Sequence, residues 1–129
     1  MPIKLVIDPK RERIHTIAEG LITYADVENH LSEENGVGGL PYSELSDARR
    51  AVLRWSSGDV RQIVGLIRGL GMNFRHGPTA FLVATDYASG LIFMIGMLVD
   101  DICAIKPFRD EAEARAWLGW ETQGNDAIR

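Results

Sequence analysis

The run from Thr79 to Phe108 limits the fold of this chain more than any other part of it. Thr79-Ala80-Phe81-Leu82-Val83-Ala84 is short and apolar, the pattern of a strand buried on both faces. Asp86 to Val99 is too long for a strand and opens on Asp86, an effective N-cap, so it predicts a helix. Ile102 to Phe108 returns as a second strand. A strand, a crossover helix and a strand make the unit from which parallel sheets are built.

The remaining segments extend that unit. Ile3–Ile7 and Arg13–Glu19 read as strands around the turn Asp8-Pro9-Lys10, giving an N-terminal hairpin. Thr23 opens a helix with Asp26 in capping-box position; Tyr24, Val27 and Leu31 share one face, and Glu28, Glu33 and Glu34 are expected to face solvent. Asn35 to Pro41 is rich in glycine, but its spacing fits neither phosphate-binding fingerprint, and it reads as a flexible connection. A strand is expected near 43–48, with a turn or short extended piece after it. Val60, Ile63, Val64, Ile67 and Leu70 keep helical spacing, and Gly69 and Gly71 end that helix. Asp110 and Glu113 cap a last helix, with Ala114, Trp117 and Leu118 as its buried stripe. The order β-β-α-β-α-β-α-β-α predicts one α/β domain over residues 1–119, with a tail at 120–129. Its sheet is mixed, mostly parallel, with an antiparallel N-terminal hairpin and four helices against it.

A hydrophobic share of 46% with 25% charged residues is that of a soluble globular protein, and a net charge of −4 argues against nucleic acid as a partner. Leu91 to Val99 is too short to span a bilayer, and Met-Pro-Ile-Lys-Leu-Val-Ile-Asp is unlike a signal peptide, so the expected location is cytoplasmic. The lone cysteine, Cys103, falls in an expected strand and reads as a small buried hydrophobe. His15, His30 and His76 have no metal-ligand spacing, so neither a metal nor another cofactor is expected. No Gly-x-Ser-x-Gly elbow is present, and Asp100-Asp101 reads as a turn. Catalysis would need a cleft bringing His76 together with Asp86 or Asp47; nothing in their spacing demands one, and the reading is non-enzymatic.

Two stretches stand out as candidate sites. Ser56-Ser57-Gly58 opens a helix, where backbone N–H groups favour an anion; read alone, Ser57 serves as the N-cap. In the helix 86–99, Ala88, Leu91, Ile92, Ile95, Leu98 and Val99 can face the sheet. That leaves Tyr87, Gly90, Phe93, Met94 and Met97 on a side where a surface helix should be polar. Such a face needs cover. A homodimer ranks first, intramolecular cover second and an apolar ligand third.

Three stretches together resemble the STAS-domain superfamily of anti-sigma-factor antagonists and sulfate-transporter tails. They are Gly20-Leu21-Ile22-Thr23-Tyr24-Ala25-Asp26, Ala80-Phe81-Leu82-Val83-Ala84, and Ile105-Lys106-Pro107-Phe108-Arg109-Asp110 leading to Ala116-Trp117-Leu118. The chain looks closest to a bacterial branch of stand-alone antagonist-like proteins that is also grouped with CRAL-TRIO lipid-binding domains. The resemblance covers about residues 3–119 and implies a regulatory interaction module, not an enzyme. It also implies a protein partner or an apolar ligand beneath the helix 86–99. Antagonists carry Asp-Ser-x-Gly at a helix start, where the Ser is phosphorylated. Trp55-Ser56-Ser57-Gly58 stands at that place with Asp47 upstream, so Ser56, with Ser57 beside it, is the candidate phosphoacceptor. Trp55 replaces the motif's Asp, and Asp59 adds negative charge where a phosphate would sit.

Overall fold

The computed structural model describes residues 2–70 and 76–120. The elements run β1 (Ile3–Asp8), β2 (Arg13–Leu21), α1 (Tyr24–Gly36), β3 (Ser43–Val52), α2 (Ser57–Leu70), β4 (Thr79–Leu82), α3 (Asp86–Leu98), β5 (Ile105–Phe108) and α4 (Glu111–Leu118). This is the expected order. The five strands form one sheet in the order β1-β2-β3-β4-β5; β1 is antiparallel to β2, and the other pairs are parallel.

Strands that follow one another in space as in sequence, joined by crossovers of one hand, must carry their connecting helices on one face. The side chains agree. Ala18 of β2, Val60, Ile63 and Ile67 of α2, and Leu91, Ile92 and Ile95 of α3 share one buried cluster, with Tyr24, Val27 and Leu31 of α1 packed against it. Helix α4 follows the last strand and turns back over the opposite face. There Ala114 meets Leu45, Ala80 and Leu82.

Several boundaries differ from the sequence expectation. Strand β3 runs to Val52, because its second half pairs with Glu19, Gly20 and Leu21 beyond a register shift at which β3 carries one residue more than β2. The Nε1–H of Trp55 donates to Ile22 O at 2.8 Å and ties the ends of these strands together. Helix α3 is capped by Thr85, whose side chain accepts from Ala88 N, not by Asp86. Asp86 pairs with Arg109. The last strand begins at Ile105, since the amides of Ile102 and Cys103 both turn back to Val99 O. Trp120, assigned to the tail by the sequence reading, is buried, and its Nε1–H donates to Ser43 Oγ. Trp117 of the expected buried stripe is exposed, lying beside the Phe108 ring at 5.7 Å between centroids. Gly71 and the tail from 121 fall outside the described residues.

Helix α3 lies close against β5. A Cβ on Gly96 would stand 2.4 Å from Ile105 O, so only glycine permits this approach. Ala104 O, just before β5, and Phe108 O accept from Thr79 N and Val83 N, which turns the alternate position, Pro107, away from β4.

Candidate functional site

Two places break the usual rule that apolar groups lie inside and charges outside. The first is the outer side of α3. Its inner side buries Ala88, Leu91, Ile92, Ile95 and Gly96. Outside, Tyr87 is 60% exposed, Phe93 58% and Met97 62%, with Met94 and Gly90 exposed beside them. Leu98, expected to face the sheet, is 50% exposed and extends this patch, while Val99 is fully buried in its place. The helix turns out of register at its C-terminal end, where Val99 O accepts from Ile102 and Cys103 and Arg68 of α2 donates to Leu98 O.

The second place is beneath α1. Glu34, expected in solvent, is 4% exposed, and Glu44 of β3 is 6% exposed. Positions 14 and 16 of β2 pair in register with 44 and 46 of β3, so Thr16 and Glu44 project to the face covered by α1, α2 and α3. His30 and Glu34 are one helical turn apart on α1 and come down onto that face. His30 Nε2 lies 2.9 Å from Glu34 Oε1 and 3.1 Å from Glu44 Oε2, and Thr16 Oγ1 donates to Glu44 Oε2 at 2.7 Å. His30 Nδ1 is buried without a hydrogen-bond partner among the described residues.

Each ionisation follows from this packing. Burial pushes Glu34 upward and the neighbouring Glu44 charge adds to it, outweighing the hydrogen bond to His30, so its pKa stands at about 8. Burial alone would lower that of His30, but hydrogen bonds to Glu34 and Glu44 and their charges raise it to about 10. Burial also works against ionised Glu44, yet the hydrogen bond to His30, the charge of His30 and the Thr16 hydroxyl hold its pKa below the usual value. At neutral pH the arrangement is a buried imidazolium against an ionised Glu44, with Glu34 holding a proton.

This cluster borders a cavity of about 110 Å³ between the sheet and α1, α2 and α3. Its walls are otherwise mainly apolar, among them Ile22, Leu31, Ile63, Phe81, Ile92 and Ile95. Ile92 and Ile95 belong to the inner side of α3. Tyr87, Gly90, Phe93, Met94 and Met97 do not line the cavity; they form the outer patch.

The other candidates are dispersed. His76 is buried, its Nε2 3.0 Å from Ile67 O, and burial lowers its pKa despite that backbone contact. Asp47 pairs with Arg49 and Asp86 with Arg109. At the start of α2, Ser56 is the residue that caps: its Oγ accepts from Asp59 N at 3.0 Å, and Asp59 Oδ2 accepts from Ser56 N at 2.9 Å. This reciprocal box corrects the assignment of the cap to Ser57. It also gives Asp59 a structural task at the place where the antagonist motif differs. Both serines are exposed. Cys103 is buried, with its Sγ 3.5 Å from Gly77 O.

Among solved structures, the chain is similar to an uncharacterised protein of the DUF3478 family from Shewanella loihica PV-4, described as having a SpoIIAA-like fold. The TM-score is 0.62 at 18% identity, over 90% of this chain and 93% of that one. The fold is SpoIIAA-like. No family model matches the chain, and no curated protein is similar to it in sequence. Among the described residues, no helix is long and apolar enough to cross a membrane.

Proposed function

We propose that this chain is a non-catalytic interaction module of the anti-sigma-factor-antagonist type, which self-associates and meets a regulatory protein partner through the outer side of α3. The observation that carries this reading is the exposure of Tyr87, Phe93, Met97 and Leu98 on a single helix. Apolar side chains grouped in this way mark contact surfaces, and methionine adapts to varied partners. Exposed Gly90 leaves a notch in the stripe where a facing side chain can seat. The SpoIIAA-like fold supports the assignment to this class of module.

Sedimentation of the wild-type chain against Phe93→Glu and Met97→Glu tests it. The expected result is a wild-type dimer at micromolar concentrations and monomeric variants with unchanged circular dichroism. A wild-type chain that stays monomeric at several hundred micromolar overturns self-association through this face.

The cavity favours a second reading, a binding protein for a small apolar ligand. Its volume of about 110 Å³ is below the ~150 Å³ of an engineered cavity that holds benzene. That excludes a whole lipid unless α1 or α2 moves off the sheet, and restricts the class to small molecules. Native mass spectrometry of the purified chain, with xenon-induced chemical shifts of the cavity methyl groups, checks this reading: a retained small molecule supports it, and a bare chain whose cavity also takes up no xenon dismisses it.

A further inference from the structure

The geometry points to a binding site for one divalent cation of the zinc or manganese type, formed by His30, Glu34 and Glu44, with its open coordination positions facing the cavity. One donor atom from each residue lies within 4.8 Å of the other two. Donors bound at about 2.1 Å to a tetrahedral ion stand about 3.4 Å apart. His30 Nε2 is already 2.9 Å from Glu34 Oε1 and 3.1 Å from Glu44 Oε2, so both imidazole–carboxylate spacings are within about 0.5 Å of that figure, and the spacing between the two carboxylates is at most 4.8 Å. One imidazole with two carboxylates suits zinc, manganese or ferrous iron, and lacks the soft sulfur that selects copper(I). Three protein ligands with a vacant position describe a site that accepts a further ligand.

Three further observations support it. Glu44 is held by Thr16, the outer-shell hydrogen bond that a ligating carboxylate requires. His30 Nδ1 is buried with no hydrogen-bond partner among the described residues, which leaves Nε2 as the ring nitrogen turned to the carboxylates. His30 also lines a surface groove with Asp26, Asn29 and Glu33, an acidic approach for a cation. This inference is independent of the α3 surface.

The test uses the full chain stripped with chelator, then dialysed against Zn²⁺ or Mn²⁺ and measured by elemental analysis. The expected result is one ion per chain, weakened at least tenfold in Glu34→Gln and in His30→Asn. Thr16→Val leaves every ligand in place and is expected to weaken binding 10- to 100-fold. Circular dichroism shows whether the variants remain folded. If they unfold, the wild-type chain alone decides: Zn²⁺ must shift the imidazole nitrogen resonances of His30. Binding that is equal in Glu34→Gln, or Zn²⁺ that leaves His30 unshifted, overturns the site.

Discussion

The outer side of α3 and the cluster under α1 are mirror violations of the same rule. One puts apolar side chains in water, the other puts charge in the core. They differ in how firmly the fold holds them. Phe93 and Met97 rest on a helix whose other side is fully packed, so the fold does not need them. His30, Glu34 and Glu44 depend on one another, and each is costly without the others. An exposed apolar patch can therefore change at little cost to the fold, whereas a buried charged cluster is tied to its stability.

The largest expected effect breaks the inner half of this comparison. Glu44→Ala leaves the His30 charge and the Thr16 hydroxyl without their shared acceptor, and should cost about 3–5 kcal/mol in urea denaturation. Replacing His30, Glu34 and Glu44 together with leucine or methionine should be near neutral or stabilising. If the triple variant is as unstable as Glu44→Ala, the cluster is structural in a way the geometry does not explain.

The next contrast lies within α3. Ile92→Ala empties a fully packed position and should cost about 2–5 kcal/mol, whereas Met97→Ala should stay within about 0.5 kcal/mol for the monomer. A large monomer effect at Met97 would mean that the outer side is covered within the chain.

The third is a pH dependence in metal-free protein. Glu34 and His30 both bind protons more tightly folded than unfolded, so stability is complete at low pH and lost as pH rises. The Glu34 contribution falls between about 4.5 and 8, and that of His30 between about 6.5 and 10, each at up to about 1.4 kcal/mol per pH unit. Glu44, held low, acts in the opposite direction, its contribution being lost only below about pH 4.5. Thermal melts across pH 5 to 9 should fall for the wild type, and Glu34→Gln should flatten the lower half of that range.

The smallest effect concerns the candidate phosphoacceptor. Ser56→Ala removes the oxygen that caps α2 and should cost about 1 kcal/mol, while Ser56→Asp, still able to cap, should cost less in spite of Asp59. Equal losses in the two would show that the charge of Asp59 dominates over the cap.

The outer side of α3 was legible from residue spacing because it depends on one helix alone. Tyr87, Gly90, Phe93, Met94 and Met97 were all placed on its exposed side. Leu98 was misplaced because the helix ends there, and helical spacing does not carry through a terminus. The order of elements was legible for a similar reason, since each period is local. The buried cluster was not. His30 and Glu34 at i, i+4 look like any solvent-exposed pair on a helix, and their burial depends on Glu44 arriving from a strand that pairs beside β2. The one signal available was a polar Glu at an inward position of β3, which reads as a weak strand until its partner is known. Trp120 was lost to the tail for the same kind of reason, since its contacts with Ser43 and the second core exist only once α4 has turned back over the sheet.

Pro107 has a bearing on assembly. At the outward position of β5 it offers no N–H, so an incoming strand would find a donor missing from the rim of the sheet. Growth by strand addition, which has no natural end, is disfavoured there. A contact between copies through the outer side of α3 about a twofold axis would by contrast close on itself, and such an assembly would stop at two.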